Sequence, residues 1–93
     1  MFENQTILVT GGTGSFGQAF IQTLVERSRA KKIIVYSRGE TRQTEMESMA
    51  PFSDNRKRLR YFIGDVRDRE RLSLAVSAGV DVIVHAAALK NIV

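Results

Sequence analysis

The 93-residue chain has no cysteine. That excludes a disulfide framework, a thiolate metal site and a cysteine nucleophile, and it fits a reducing compartment. Long apolar runs are missing too. No stretch approaches the ~20 apolar residues of a membrane-spanning helix. Met1-Phe2-Glu3-Asn4 lacks the basic start of a signal peptide, and the apolar run behind it is too short for one. A cytoplasmic protein without a membrane partner is expected. Histidine and proline occur once each, as His85 and Pro51. His85 has no evident partner base or fellow ligand, so it is read as a hydrogen-bonded residue at a strand end. No catalytic residue and no metal ligand are assigned. No lysine followed by Ser or Thr comes after the glycine-rich segment, which disfavours a P-loop triphosphate site.

What is present suits one small α/β domain. Hydrophobic residues make up 43% of the chain, enough for a core. The net charge is +4, with arginines clustered in Arg56-Lys57-Arg58-Leu59-Arg60 and at Arg67, Arg69 and Arg71. Basic patches can neutralise nucleic-acid phosphates. Here Asp54, Asp65, Asp68 and Glu70 are interleaved with them, and no nucleic-acid partner is expected.

Apolar, β-branched runs alternate with helical patterns. Thr6 to Val9 reads as a buried strand. Ser15 to about Ser28 reads as a helix with Phe16, Ala19, Phe20, Leu24 and Val25 on one face. Ile33 to Tyr36 is a second strand. Glu40 to about Met49 is a helix stopped by Pro51, and Leu59 to Ile63 is a third strand. Asp68 caps a further helix with Leu72, Ala75 and Val76 on its apolar face and Gly79 at its C-terminal end. Val80 to Val84 is a fourth strand. The order β-α-β-α-β-α-β with apolar strands predicts a parallel, doubly wound, Rossmann-like sheet covered on both faces, with strand order 3-2-1-4.

Thr10-Gly11-Gly12-Thr13-Gly14-Ser15-Phe16-Gly17 lies between the first strand and the first helix. Two glycine registers overlap in it: Gly11, Gly14, Gly17 and Gly12, Gly14, Gly17. Such a turn brings bare backbone N–H groups and a helix dipole up to a phosphate. A tight turn with a closely packed helix and no ligand is the plain alternative. At the end of the second strand, where an NAD site commonly has Asp or Glu, stands Ser37-Arg38, with Arg42 one helical turn on. Arginine can make paired, charge-assisted bonds to a 2′-phosphate, and the serine can add another. NADP is therefore the expected cofactor, although Glu40 could favour NAD and both arginines could be ordinary surface charges. Asp65-Val66 after the third strand can bond and pack against adenine, unless Asp65 only shapes the turn. Ala86-Ala87-Ala88 is small enough to let a cofactor lie across the strand ends. Lys90 could reach a ribose, a phosphate or the substrate.

Four strings together carry a family resemblance: Ile7 to Gly17, Lys32-Ile33-Ile34-Val35-Tyr36-Ser37-Arg38, Phe62-Ile63-Gly64-Asp65-Val66-Arg67-Asp68 and His85-Ala86-Ala87-Ala88-Leu89-Lys90. With them the chain resembles the extended short-chain dehydrogenase/reductase superfamily. Within it the chain is similar to the nucleotide-sugar 4,6-dehydratases of polysaccharide biosynthesis, in particular the inverting UDP-N-acetylglucosamine enzymes. The resemblance implies NADP held by Gly11, Thr13, Gly14, Ser15, Phe16 and Gly17, by Ser37, Arg38, Glu40, Thr41 and Arg42, by Asp65 and Val66, and by Ala86 and Lys90. It implies a lyase reaction on a nucleotide sugar. Hydride leaves sugar C4, water is lost across C5 and C6, hydride returns to C6, and C5 is inverted.

Two departures qualify this. Gly39 stands where the family commonly has an acid, which loosens the loop around a 2′-phosphate. The Tyr-x-x-x-Lys motif, the acid assisting elimination and the sugar-nucleotide domain lie beyond residue 93 in such enzymes. Residues 1–93 are thus expected to be an N-terminal NADP-binding part without turnover of its own. A nucleotide-sugar epimerase fragment and a binding-only module are the alternatives. An unpaired fourth strand predicts self-association.

Overall fold

The computed structural model describes residues 2–77 and 79–86. The chain forms β1 (Thr6–Thr10), α1 (Ser15–Arg27), β2 (Lys32–Ser37), α2 (Glu40–Glu47), a 3-10 turn (Ser53–Asn55), β3 (Leu59–Ile63), α3 (Arg69–Val76) and β4 (Val82–His85). All pairings are parallel, in the order β3-β2-β1-β4. This is the expected Rossmann-like half. Right-handed crossovers leave few other ways to return each strand parallel to its neighbours.

The period-2 alternation of the strands sorts side chains onto two faces. Ile7 and Val9 of β1 and Ile33 and Val35 of β2 point to the first, where Ile21, Leu24 and Val25 of α1 and Met46 of α2 complete the core. Leu8, Ile34 and Tyr36 point to the second, where α3 contributes Ala75. The central strands are buried on both sides, which is why β1 and β2 read as continuous apolar runs.

The buried stripe of α1 differs from the expected one. Gly17, Ile21, Leu24 and Val25 face the sheet, whereas Phe16 is 48% exposed and Ala19 is exposed. The cause is Gly17. A Cβ there would run into the Gly11 carbonyl oxygen and lie 2.7 Å from Gly12 Cα, so this glycine must face inward and it sets the rotation of the helix. Phe16 is turned toward the strand ends, stacked on Phe20 at 6.5 Å between ring centroids.

Two element ends also shift. α2 closes at Glu47, with Ser48 as its C-cap, short of Met49. β4 starts at Val82 because Asp81 is tied to β1 as a clamp. Its carboxylate accepts from Thr6 N at 2.8 Å and its own N–H donates to Thr6 O at 2.9 Å. Asp68 caps α3 as expected, its carboxylate accepting from Arg71 N at 3.1 Å. Gly79 follows the helix at φ +95°. No described helix is long and apolar enough to cross a membrane.

Arg58 belongs to the core framework, not to a solvated basic patch. Its guanidinium donates to the carbonyls of Val25 at 3.0 Å, Ser28 at 3.0 Å, Ala30 at 3.2 Å and Leu24 at 3.4 Å. The carbonyls at and just after the end of α1 lack a full set of backbone partners, and a five-donor fork just before β3 reaches them. Arg60 similarly donates to the carbonyls of Arg56, Lys57 and Leu59.

Candidate functional site

The C-terminal ends of β1, β2 and β3 open into a cleft of about 1080 Å³. A doubly wound sheet places ligands there, beside the point where strand order reverses. In this chain that point is β1, with β2 on one side and β4 on the other.

The turn from β1 to α1 forms the floor. Gly11 has φ +66°, a left-handed conformation in which a side chain would be strained, and its N–H donates to Tyr36 O at 2.9 Å. Gly14 is the N-cap and donates to Gly11 O at 3.1 Å. α1 has no side-chain cap and no acidic residue in its first turn. Its leading N–H groups and the positive end of its dipole are therefore left to an external anion. Gln18 Nε2 donates to Thr13 O at 2.8 Å and holds the turn against the helix.

The β2 end supplies the wall beside it. Ser37 is 6% exposed, and Arg38 and Arg42 border the same cleft. Arg42 also borders a smaller hollow of about 380 Å³ between the start of α1 and the side of α2, lined by Glu45, Met46 and Met49. Gly39 precedes α2 in extended conformation and acts as its N-cap.

The β3 end forms the opposite wall, through Gly64, Asp65, Val66 and Arg67. Arg67 embraces the Asp65 carboxylate. Its backbone N–H lies 2.9 Å from Oδ1, Nε 3.2 Å from Oδ1 and Nη2 2.9 Å from Oδ2. Arg38 approaches the same carboxylate at 3.8 Å. The Arg67 hydrogen bonds hold the Asp65 carboxyl well below its ordinary range, at about 2. The pair also raises the Arg67 guanidinium. Asp65 does shape the turn: its carbonyl accepts from Asp68 N at 3.0 Å and from the Tyr36 phenol at 3.0 Å. Burial pushes the Tyr36 phenol up.

The cleft thus gathers Gly11, Thr13, Gly14, Ser15, Phe16 and Gly17 with Ser37, Arg38 and Arg42, and both groups with Asp65, Val66 and Ala86. Glu40 and Thr41 are exposed on α2 and do not border it. Lys90, Ala87 and Ala88 lie outside the described residues. His85 Nδ1 is 3.3 Å from Thr10 Oγ1, a hydrogen bond between neighbouring strand ends.

Tyr36 and Gln43 escaped sequence reasoning. Tyr36 is fully buried between β1 and the turn after β3. Its signal was present, as a polar-tipped aromatic at the end of an apolar strand. Gln43 is 5% exposed in a helix whose one apolar residue is Met46, and no periodicity marked it.

The profile of a family described as polysaccharide biosynthesis protein matches residues 7–93. The chain is 52% identical over 92 residues to a UDP-N-acetylglucosamine 4,6-dehydratase (inverting) of Campylobacter jejuni, covering 99% of this chain and 26% of the relative. It is 38% identical over 95 residues to a UDP-glucose 4-epimerase of Rickettsia typhi, with the same two coverages, 99% and 26%. The chain therefore spans about a quarter of the length of these curated relatives. Among solved structures, Pen from Bacillus thuringiensis superposes with a TM-score of 0.81 at 30% identity, over 92% of this chain and 25% of that one. A short-chain dehydrogenase/reductase from Veillonella parvula in complex with NADP gives 0.66 at 22% identity, over 87% and 34%, which speaks for the fold alone. A Rossmann-like sheet, a glycine turn under an open helix end and a profile match over nearly the whole length converge: this chain belongs to the polysaccharide biosynthesis protein family, on a short-chain dehydrogenase/reductase fold.

Proposed function

We propose that residues 1–93 form the NADP-holding part of a nucleotide-sugar 4,6-dehydratase acting on UDP-N-acetylglucosamine. The observation that carries this reading is one cleft lined by the glycine turn, by Ser37, Arg38 and Arg42, and by Asp65 and Val66. The residues fit the cofactor on their own chemistry. The inward glycine at 17 lets the start of α1 pack directly on the glycine turn, and the uncapped α1 start offers N–H groups to a pyrophosphate. Ser37, Arg38 and Arg42 offer donors to a 2′-phosphate. Val66 is 41% exposed and presents an apolar surface for adenine. In the family pattern Gly11 to Gly17, Ser37 to Arg42, Asp65, Val66, Ala86 and Lys90 hold the cofactor, which supplies reversible hydride transfer when bound. These residues bind and orient. The acids and bases of the elimination are assigned to none of them.

The dehydratase relative, at 52% identity, favours this over the epimerase, at 38%. Titration with NADP and NAD tests the cofactor. Arg38→Ala is expected to weaken NADP by about 10-fold or more and NAD far less, since a charge-assisted bond is lost only with the former. Equal losses would overturn the assignment. Mass spectrometry and proton NMR of UDP-N-acetylglucosamine incubated with the whole encoded protein test the reaction: loss of water supports the dehydratase, and a change of configuration without mass change supports the epimerase. A cytoplasmic location, checked by fractionation, and self-association belong to the same proposal. β4 pairs only with β1 among the described residues, and its Ile83 is 43% exposed. Sedimentation of a strictly monomeric chain at high concentration would refute the association.

A further inference from the structure

The buried amide of Gln43 decides what the end of β2 offers to the cleft. Gln43 Nε2 lies 3.1 Å from Phe62 O, 3.3 Å from Ser37 O and 2.8 Å from Ser37 Oγ. Two of these partners are backbone carbonyls, which only accept, so the amide atom facing them must be the nitrogen. The amide orientation is therefore dictated by its surroundings. The same NH₂ group then donates to Ser37 Oγ, and that oxygen is used as an acceptor. Ser37 Oγ makes no other hydrogen bond among the described residues, so its own proton remains to be donated.

Ser37 borders the cleft next to Arg38 and Arg42, whose guanidiniums can only donate. Gln43 occupies one lone pair of the hydroxyl and leaves its proton for the cleft, so all three side chains at this wall offer donors. A wall rich in donors matches an acceptor-only group, such as a phosphate monoester. It matches a ribose hydroxyl poorly, because that group carries a proton of its own to place. We infer that Gln43 is a specificity-positioning residue. It sets the Ser37 hydroxyl as a donor and so favours a 2′-phosphorylated nucleotide over its 2′-hydroxyl counterpart, without touching either. The inference rests on the NADP reading above and names a residue that acts behind it.

A double-mutant cycle on the intact chain tests it, with dissociation constants for NADP and NAD measured on wild type, Gln43→Met, Ser37→Ala and the double variant. Gln43→Met is expected to weaken NADP by about 10-fold, the scale of one hydrogen bond to a charged group, and to change NAD by less than about 2-fold. Ser37→Ala should do the same, and in its background Gln43→Met should no longer move the NADP/NAD ratio. Gln43→Glu keeps the shape of the side chain and serves if Gln43→Met does not fold. Its carboxylate captures the Ser37 proton, and the ratio should fall by an amount that shrinks when Ser37 is alanine. A purely structural role would move both affinities and the melting temperature together and leave the ratio alone. A folded Gln43→Met chain with an unchanged ratio, or a ratio effect that persists undiminished without the Ser37 hydroxyl, overturns the inference while the NADP reading stands. A wild-type chain that shows no preference for NADP overturns both.

Discussion

The two faces of the sheet are closed by different means. On the first, α1 and α2 join a cluster of twelve buried residues that runs from Ile7 to Ala86. On the second, α3 alone brings Ala75 onto Leu8, Ile34 and Tyr36, and Leu74 and Ile83 remain 57% and 43% exposed. The second face relies more on polar and aromatic contacts. Tyr36 stacks on Phe62 at 5.8 Å, Arg71 lies 4.4 Å over the Phe62 ring, and Arg71 Nε donates to Ile63 O at 2.7 Å. Apolar burial scales with area, so the first face carries most of the stability. The second face shapes the turn from Gly64 to Arg67, through Tyr36 and Arg71.

Substitutions can break or sharpen this contrast. Gly17→Ala should rank with the largest effects, because the new Cβ meets backbone atoms of Gly11 and Gly12 that cannot rotate away. A loss of about 3 kcal/mol is expected by urea unfolding, at the upper end for overpacking. Gly14→Ala, whose Cβ would sit 3.4 Å from Gly11 O, should be far milder. Leu24→Ala, at 1% exposure on the first face, should cost about 2–5 kcal/mol. Leu72→Ala on the second face should cost less than half as much, because Leu72 is only partly buried. Equal losses at the two leucines would erase the distinction between the faces.

Arg58→Ala should cost about 1.5–3 kcal/mol through the carbonyls it leaves bare. Arg58→Lys should recover little of this, since one ammonium cannot replace a fork that reaches four carbonyls. Added salt should not mimic either variant, because the partners are dipoles in a partly buried site.

The smallest effect is on the second face and depends on pH. Asp65 titrates near 2 in the folded chain, below its ordinary 3.8. A lowered carboxylate pKa favours the folded turn above about pH 4, and that contribution fades as pH falls toward 2. Arg67 is exposed and Asp65 half-buried at the surface turn, so the change should be confined to residues around it. Amide exchange at Arg67 should quicken over this window, and Arg67→Ala should weaken the pH dependence, leaving the part owed to the backbone N–H of residue 67 and to Arg38. An acid response spread evenly over both faces would contradict a local origin.

The legible and illegible parts of the molecule separate along physical lines. β1 and β2 were readable because strands buried on both faces are apolar without interruption, and Leu59 to Ile63 matched β3 residue for residue. The glycine turn was readable because its spacing is a backbone requirement. The face of α1 was misjudged because hydrophobic periodicity gives no weight to Gly17, the residue that sets the helix against the turn. Arg58 was hidden in a run of like charges, where nothing local tells a solvated arginine from one that caps a distant helix.

Sequence alone determined the alternation of elements, the parallel sheet and the strings that line the cleft, because periodicity and glycine spacing are local properties of the chain. Only the tertiary structure decided which polar side chains work. Arg58 closes α1 from 30 residues or more away, through Val25, Leu24 and Ser28. Gln43 ties β2 to β3, and Arg67 claims the carboxylate of Asp65. A hydrogen bond depends on which donors and acceptors the fold brings within about 3 Å of each other, and that proximity is written in no short stretch of sequence.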